Sequence, residues 1–276
     1  MIQCTDCEFC EIGPGERRLF KCDPFTNIKE PECLLKWQLI RLDMLVASHQ
    51  GLLKWQAKFG PLQEKLMKFM QREIEDIDEV FIITNDKFYM DFVYWLAQNE
   101  KNFSKKIEIL NDGTTSNETR LEGIGDLRFV IKEKNINDDI LVLASDNLFE
   151  DSLINLVDSF KKKRAVTNAV FKLEEKEEAK KFGVVEIDSE GRIIGFEEKP
   201  QEPKTNLISR AIYIFPKESL KNMGEYMKTE KPKDAPGFLI KDFCKKQEVY
   251  AFIFKGKWFD IGSKETYEKV KDSWEK

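Results

Sequence analysis

From residue 79 onward, the chain alternates between short apolar runs and segments with helical spacing. Residues 80–84 and 140–144 are continuous runs rich in aliphatic and β-branched side chains, the pattern of strands that are buried on both faces. Residues 107–110 predict another strand, whereas residues 87–99 and 153–160 predict helices. Because strands that alternate with helices build βαβ units, this order predicts an α/β fold with a doubly wound, mostly parallel sheet.

The second half of this region carries strands at a higher density. Turn-forming residues at 189–192 join two of them, which predicts an antiparallel pair. The sheet is therefore expected to be mixed and Rossmann-like, with antiparallel strands added to a parallel core. A last helix is expected over residues 264–275. The strands predicted in this part cover residues 166–173, 183–187, 193–197, 208–215 and 249–254.

The N-terminal part of the chain has a different composition. Five of the six cysteines lie within the first 33 residues, and residues 34–78 have helical spacing that is interrupted at Gly60 and Pro61. This shift predicts a Cys-rich, helical N-terminal module over residues 1–60. A separate α/β domain is expected over residues 61–276.

The cysteines of this module leave two interpretations open. Cys4, Cys7, Cys22 and Cys33 could supply four thiolates to a structural Zn²⁺ ion, with Cys10 as a further thiol in the same stretch. They are equally compatible with plain reduced thiols, because no second closely spaced cysteine pair follows the first. An iron–sulfur cluster has less support.

Composition excludes several classes of function. The formal net charge is −5 and 34% of the residues are charged, which argues against wrapping of nucleic acid and against a membrane protein. No apolar run approaches the length of a spanning helix, and the N-terminus lacks the features of a signal peptide. We therefore expect a cytoplasmic protein without nucleic-acid or membrane partners; the oligomeric state is left open.

Two aspartates stand at positions where ligands are often bound. Asp146 follows the apolar run at residues 140–144, and ligands of open parallel sheets bind beyond the carboxyl ends of the strands. A carboxylate there suits Mg²⁺, which takes one or two protein carboxylates together with substrate phosphates. Asp260 lies between bulky apolar residues and a glycine turn, which would hold it in place. A helix N-cap is the alternative role for either residue, and a solvated turn is a further alternative for Asp146.

A strand end supplies a second group of polar residues. Glu198 and Lys199 close the apolar pattern of residues 193–197, and Pro200 follows them. The acid can bind sugar hydroxyls and the lysine can bind a phosphate as a point charge. An ordinary solvated strand end would have the same composition.

Several segments follow one another in the order and spacing of a known family. The pattern resembles the sugar-1-phosphate nucleotidyltransferases over residues 60 to 276, about 200 residues, and implies their Rossmann-like fold. Residues 111–121 resemble members that act on hexose or heptose phosphates. The matching segments are Leu-Ala-Ser-Asp-Asn-Leu-Phe at 143–149, Phe-Gly-Val-Val at 182–185, Glu-Glu-Lys-Pro at 197–200, Asn206 with Ile-Tyr-Ile-Phe at 212–215, and Trp-Phe-Asp-Ile-Gly-Ser at 258–263.

The resemblance implies a reaction and a set of roles. An oxygen of a sugar 1-phosphate attacks the α-phosphorus of a nucleoside triphosphate and pyrophosphate leaves, so that positioning and charge neutralisation supply most of the rate. Asp146 and Asp260 would be the catalytic pair that holds Mg²⁺. The implied substrate contacts are Gly183 and Glu198 with the sugar, Lys199 with its phosphate, Asn206 on the following strand, and Gly113 and Gly123 near the base.

One family feature has no counterpart in this sequence. The family begins with a strand and a Gly-Gly-x-Gly-Thr-Arg loop whose backbone cradles the phosphates, and no such loop precedes Val80. Gly13, Pro14 and Gly15 are a faint echo of it. Two alternatives to an active transferase follow: a non-catalytic protein that binds sugar phosphates or a partner through its Cys-rich head, and a chimeric or truncated transferase.

Overall fold

A computed structural model describes residues 10–12, 18–20, 77–116, 118–229, 236–260 and residue 266. The chain divides into two compact units, residues Met1–Lys65 and Leu66–Lys276. The predicted last helix lies outside the described residues except at Thr266, which is helical. In the described parts of the chain, no helix has the length and apolar character that a membrane crossing needs.

The described part of the first unit is an antiparallel pair of strands. Strands β1 (Cys10–Ile12) and β2 (Arg18–Phe20) pair with Cys10 opposite Phe20. This pair departs from the helical module that the sequence predicted, because Gly13, Pro14 and Gly15 separate the strands in sequence and such residues break helices. The helices expected between residues 34 and 78, the echo of the phosphate loop, and the cysteines proposed for zinc (Cys4, Cys7, Cys22 and Cys33) lie outside the described residues.

The described part of the second unit begins with a parallel βαβ unit. Strands β3 (Glu79–Thr84) and β4 (Lys106–Asn111) pair in parallel, and helix α1 (Asp86–Asn99) connects them. The helix starts where the side chain of Asn85 accepts a hydrogen bond from the Phe88 backbone N–H, which satisfies one of the free donors of its first turn. Both strands and the helix lie within two residues of the predicted positions.

A mixed six-stranded sheet forms the centre of the second unit. Its order is β11-β7-β10-β8-β9, and β5 pairs with the far end of β10. Its strands and the remaining elements are α2 (Glu122–Glu133), β5 (Ile140–Leu143), β6 (Asn147–Phe149), α3 (Leu153–Lys163), β7 (Val166–Lys172), β8 (Gly183–Ile187), β9 (Ile193–Glu198), β10 (Leu207–Phe215), α4 (Leu220–Met227), α5 (Pro236–Phe243), β11 (Val249–Phe254) and β12 (Trp258–Asp260).

The mixed character of the sheet that the sequence predicted is confirmed. Strand β11 runs parallel to β7, whereas β10 runs antiparallel to β5, β7 and β8. Most pairings in this sheet are therefore antiparallel, because the long strand β10 is inserted against three strands of the opposite direction. The predicted α/β class stands, with fewer parallel pairings in the described residues than the apolar runs suggested.

Helices cover both faces of this sheet. On one face, Leu153, Leu156 and Phe160 of α3 pack with Phe171 and Phe254. On the other face, α2, α4 and α5 contribute Ile124, Met223 and Phe243 to a second cluster with Val170 and Phe215. Alternate residues of β7 thus enter opposite clusters, as expected of a strand that is buried on both faces. The helices α4 and α5 and the short strands β6 and β12 were not predicted.

Candidate active site

Two short strands bring the two predicted aspartates together. Strands β6 and β12 pair antiparallel with Asn147 opposite Asp260, so that Asp146 lies beside Asp260 at the edge of the pair. Partial burial and the charge of Asp260 raise the pKa of the Asp146 carboxyl, and Arg210 opposes this shift. Two neighbouring carboxylates of this kind attract a cation strongly, which fits the role that the sequence implied for them.

A buried amide orients Asp146. The side-chain Nδ2 of Asn147 donates to Oδ1 of Asp146 at 2.7 Å, and its Oδ1 accepts a hydrogen bond from Nε1 of Trp258 at 2.8 Å. Asn147 itself is almost fully buried, so its amide is fixed by the surrounding chain, and the two bonds hold the two strands and the carboxylate in one arrangement. Sequence reasoning assigned no role to Asn147, although the residue lies inside the family segment at 143–149 and directly after Asp146.

Arg210 is the cation of this site. Its Nη2 donates to Oδ2 of Asp260 at 2.9 Å, and its guanidinium lies over the rings of Trp258 and Phe182, at 3.7 and 4.5 Å from their centroids. Its side chain is only 10% exposed. Burial lowers the pKa of Arg210, but an arginine starts so high that it stays charged. Sequence reasoning missed it, although a charge inside the apolar strand β10 marks it.

Arg210 lies within an irregularity of strand β10. The register of β10 against β7 shifts between Ser209 and Tyr213, and Ala211 has a φ of 53°. The Ala211 carbonyl accepts a hydrogen bond from the Ala144 backbone N–H at 3.0 Å, which ties this irregularity to the segment that leads to Asp146. The left-handed conformation of a non-glycine residue costs roughly 1–2 kcal/mol, so the surrounding contacts must hold it in place.

The predicted sugar-binding residues form a second group. Gly183 of β8 pairs with Glu198 of β9, and Lys199 follows with a φ of 47° and an exposed side chain. The Lys199 backbone N–H donates to the carbonyl of Phe182 at 3.0 Å, and the Phe182 ring covers Arg210. Phe182 therefore connects this group with the aspartate pair.

Two glycines make room for side chains of this group. A Cβ on Gly183 would lie 2.6 Å from Cζ of Phe196 and 3.1 Å from Oε2 of Glu198. A Cβ on Gly237 of α5 would lie 2.6 Å from each of these atoms. The space beside Gly183 is thus occupied by the chain's own Phe196 and Glu198. The approach of a sugar to this backbone, which the family resemblance implied for Gly183, stays a prediction.

Asn206 lies at the start of β10 and has a structural contact. Its Nδ2 donates to the carbonyl of Leu173 at 2.6 Å, and the hydroxyl of the neighbouring Thr205 donates to the carbonyl of Val185. These bonds join β10 to β7 and β8 at the end of the sheet. The predicted contact of Asn206 with substrate stays a prediction.

The two glycines predicted near the base lie after β4 and at the start of α2. Gly113 is exposed with a φ of 76°, and its N–H donates to Oδ1 of Asn111, whereas Gly123 is exposed in the first turn of α2. Burial, and then the charge of Asp112, raise the pKa of Asp126 to about 6. Oδ1 of Asp126 has no hydrogen-bond partner among the described residues. Helix α2 therefore carries a perturbed carboxyl that the sequence did not reveal.

The described residues fit Mg²⁺ only in part. Asp146 and Asp260 supply the one or two carboxylates that Mg²⁺ takes when phosphates provide the other ligands. However, no group of three or more potential metal ligands occurs in the described part of the chain, and the guanidinium of Arg210 already contacts Asp260. The described residues thus form no all-protein magnesium cage, and a metal bound mainly by phosphates fits them better.

Known proteins resemble this chain in sequence and in fold. A family model described as Nucleotidyl transferase matches residues 52–276. A glucose-1-phosphate adenylyltransferase of Clostridium acetobutylicum is 36% identical over 128 residues, which cover 45% of this chain and 33% of that protein. The enzyme of that name from Thermotoga neapolitana is 34% identical over 141 residues, covering 49% and 33%. The match spans about a third of the length of these relatives.

Solved structures share the fold. A UDP-glucose pyrophosphorylase complexed with UDP-glucose has a TM-score of 0.60 at 18% identity, with 78% of this chain and 86% of that chain covered. A Bacillus anthracis protein described as a glucose-1-phosphate thymidylyltransferase, solved with a sucrose, has a TM-score of 0.58 at 22% identity, covering 76% and 80%. At these identities the likeness concerns the fold alone.

Proposed function

Because the chain belongs to the nucleotidyl transferase family, we propose that it transfers a nucleotidyl group from a nucleoside triphosphate to a sugar 1-phosphate. The observation that carries the proposal is the pairing of β6 with β12, which sets Asp146 beside Asp260. Phe182 connects this pair with the strand end that carries Glu198 and Lys199. The aspartate pair, proposed for the triphosphate side, thus lies next to the charged groups proposed for the sugar phosphate.

The proposed step needs no nucleophile from the protein. An oxygen of the sugar 1-phosphate forms a bond to the α-phosphorus, and the bond from that phosphorus to the oxygen bridging to the β-phosphate breaks. Pyrophosphate leaves with the bonding electrons. Mg²⁺ bound by the phosphates would neutralise the charge that develops on them. Lys199 would bind the sugar phosphate and Glu198 the sugar hydroxyls, so that the acceptor is oriented for in-line attack.

The substrate class is part of the proposal. The relatives and solved structures are named for glucose 1-phosphate or UDP-glucose, which supports a hexose 1-phosphate as acceptor. The segment at 111–121, which carries Gly113 and Asp112, lies directly after β4 and supports a role in contacting the base or the sugar. We propose a hexose or heptose 1-phosphate as the acceptor and leave the base to the experiment.

The direct test measures pyrophosphate. The full chain is incubated with Mg²⁺, each common nucleoside triphosphate and a panel of hexose and heptose 1-phosphates. We expect pyrophosphate release with at least one pair, and a loss of about 100-fold or more in D146N, because a group that stabilises transition-state charge is removed. D158N is the matched control, since Asp158 is exposed on α3. Folded protein that releases no pyrophosphate with any pair contradicts the proposal.

A second candidate is a sugar-phosphate-binding protein without turnover. The ion pair between Arg210 and Asp260 favours this second candidate, because the ion pair occupies one of the two carboxylates that the metal would use. Equilibrium binding of sugar 1-phosphates together with absent pyrophosphate release distinguishes it from the transferase. Turnover that is lost in D146N and kept in D158N excludes it.

A further inference from the structure

The guanidinium of Arg210 occupies the place where a cation would neutralise the two aspartates. It donates to Asp260 at 2.9 Å, and its charge acts on Asp146 as well. Among the described residues, Arg210 is the positively charged group that acts on both carboxylates. Asp260 itself stays 38% exposed, so that the pair is open to solvent and to ions.

Arg210 is held in this position by more than its ion pair. The guanidinium lies over the faces of both Trp258 and Phe182, which cover it from two adjacent directions, and the two rings contact each other edge to face at 5.8 Å. Trp258 is in turn fixed by its hydrogen bond to Asn147. A guanidinium enclosed in this way cannot swing out without separating two aromatic contacts, so it behaves as a fixed part of the site.

The side chain also retains an unused donor. Nε of Arg210 is buried and has no hydrogen-bond partner among the described residues. A buried donor without a partner costs free energy, so another favourable interaction must offset this cost. The position is therefore better explained by the charge that Arg210 supplies to Asp146 and Asp260 than by the hydrogen bonds that it makes.

We propose that Arg210 is the resident cation of the Asp146–Asp260 pair and excludes divalent metal ions from it in the ligand-free protein. A dication would have to approach a site that already holds a fixed positive charge, and the repulsion opposes the attraction of the two carboxylates. One consequence rests on the proposed function: Mg²⁺ enters the site with the nucleoside triphosphate, whose phosphates supply the charge that Arg210 has cancelled.

The exclusion is tested by Mn²⁺ binding to the full chain without nucleotide, read from the electron paramagnetic resonance of free Mn²⁺. We expect no stoichiometric site in the wild type. Arg210→Gln removes the charge and keeps a planar group over the rings, and it should gain one stoichiometric Mn²⁺ site, with an affinity about tenfold or more above any residual binding of the wild type. The double variant R210Q/D260N should lose the gained site. R210K, which restores a cation, should bind as the wild type does.

Arg192 provides the matched control. It also faces two acids, Asp188 at 3.4 Å and Glu248 at 3.7 Å, but its side chain is 49% exposed. R192Q therefore changes the net charge equally and should gain no site. Circular dichroism checks the fold, and Arg210→Met, whose stem can also pack on the rings, replaces R210Q where the latter does not fold.

Several results would overturn the proposal. A wild-type Mn²⁺ site that disappears in D146N shows that Arg210 does not exclude the metal. Absence of a gained site in folded R210Q or R210M shows the same, and a gained site that survives D260N lies elsewhere. These readouts need no turnover, so a failed pyrophosphate assay leaves them intact and contradicts only the proposed function.

Discussion

Trp258 lies with its ring face 3.7 Å from the guanidinium carbon of Arg210 and donates its indole N–H to Asn147 at 2.8 Å. One side chain thus positions both the cation and, through Asn147, the carboxylate of Asp146. We expect W258F to keep a ring on Arg210 and lose the hydrogen bond, which should lower the free energy of unfolding by about 1–3 kcal/mol because the buried Asn147 oxygen loses its donor. Urea denaturation measures this loss.

A double-mutant cycle with N147A isolates the bond between Trp258 and Asn147. The coupling should be about 1 kcal/mol, since either single variant already removes the interaction. Additive losses in the double variant would show that the two side chains act independently.

Gly183 should not tolerate a methyl group. A Cβ at this position would meet Cζ of Phe196 at 2.6 Å, so G183A is expected to lower the free energy of unfolding by about 1–3 kcal/mol. G224A is the matched control: a Cβ on Gly224 of α4 meets nothing within 4 Å, and alanine is the better helix former, so this variant should be neutral or slightly stabilising. F196L should relieve part of the cost of G183A, and equal losses in G183A and G224A would argue against the clash.

Because Ala211 has a left-handed conformation, its replacement by glycine should change the stability of the protein very little. A211G removes the Cβ conflict at a φ of 53° and adds backbone entropy to the unfolded chain, and since these effects oppose each other the net change should lie within about 0.5 kcal/mol. A169G, in the neighbouring strand β7, has no strain to relieve and should lose about 1 kcal/mol or more. Thermal unfolding of both variants measures the difference. A loss of stability in A211G as large as that in A169G would show that Ala211 is not strained.

Replacing Asp126 with a neutral residue should raise the stability of the protein by an amount that depends on pH. Burial raises its pKa from 3.8 to about 6, so between these values the folded state holds more protons than the unfolded state and stability falls as pH rises. D126N removes this penalty. The variant should therefore have a higher melting temperature than the wild type at pH 7.5, and the gain should shrink as pH falls through about 6 towards 4. A gain that does not depend on pH would contradict the assignment.

Lys199 should affect one substrate and spare the other. If it binds the sugar phosphate as a point charge, K199A should raise the KM for the sugar 1-phosphate about tenfold, because a charged hydrogen bond is lost, and leave the KM for the nucleotide unchanged. K204A is the control, since Lys204 is exposed and pairs with Glu186. An equal rise in both KM values would place Lys199 outside the sugar-phosphate site.

Local patterns predicted the elements that form the sheet. The apolar runs at 80–84, 140–144 and 249–254 became strands because a short continuous apolar sequence favours a strand and is visible without any partner strand, although residues 80–84 and 140–143 are only partly buried. The helices α4 and α5 were missed because each spans eight residues, too few for a clear period. The strands β6 and β12 span three residues each and carry no periodicity.

By itself, the sequence determined the α/β class, the order of the family segments and the two aspartates as candidates, because each depends on residue types at short spacing. Only the tertiary structure decided that Arg210 neutralises this pair and that Asn147 orients it. Arg210 bonds to a residue 50 positions away, and Trp258 bonds to one 111 positions away. Such contacts arise from strand pairing and ring packing between distant segments, which no local period of the sequence encodes.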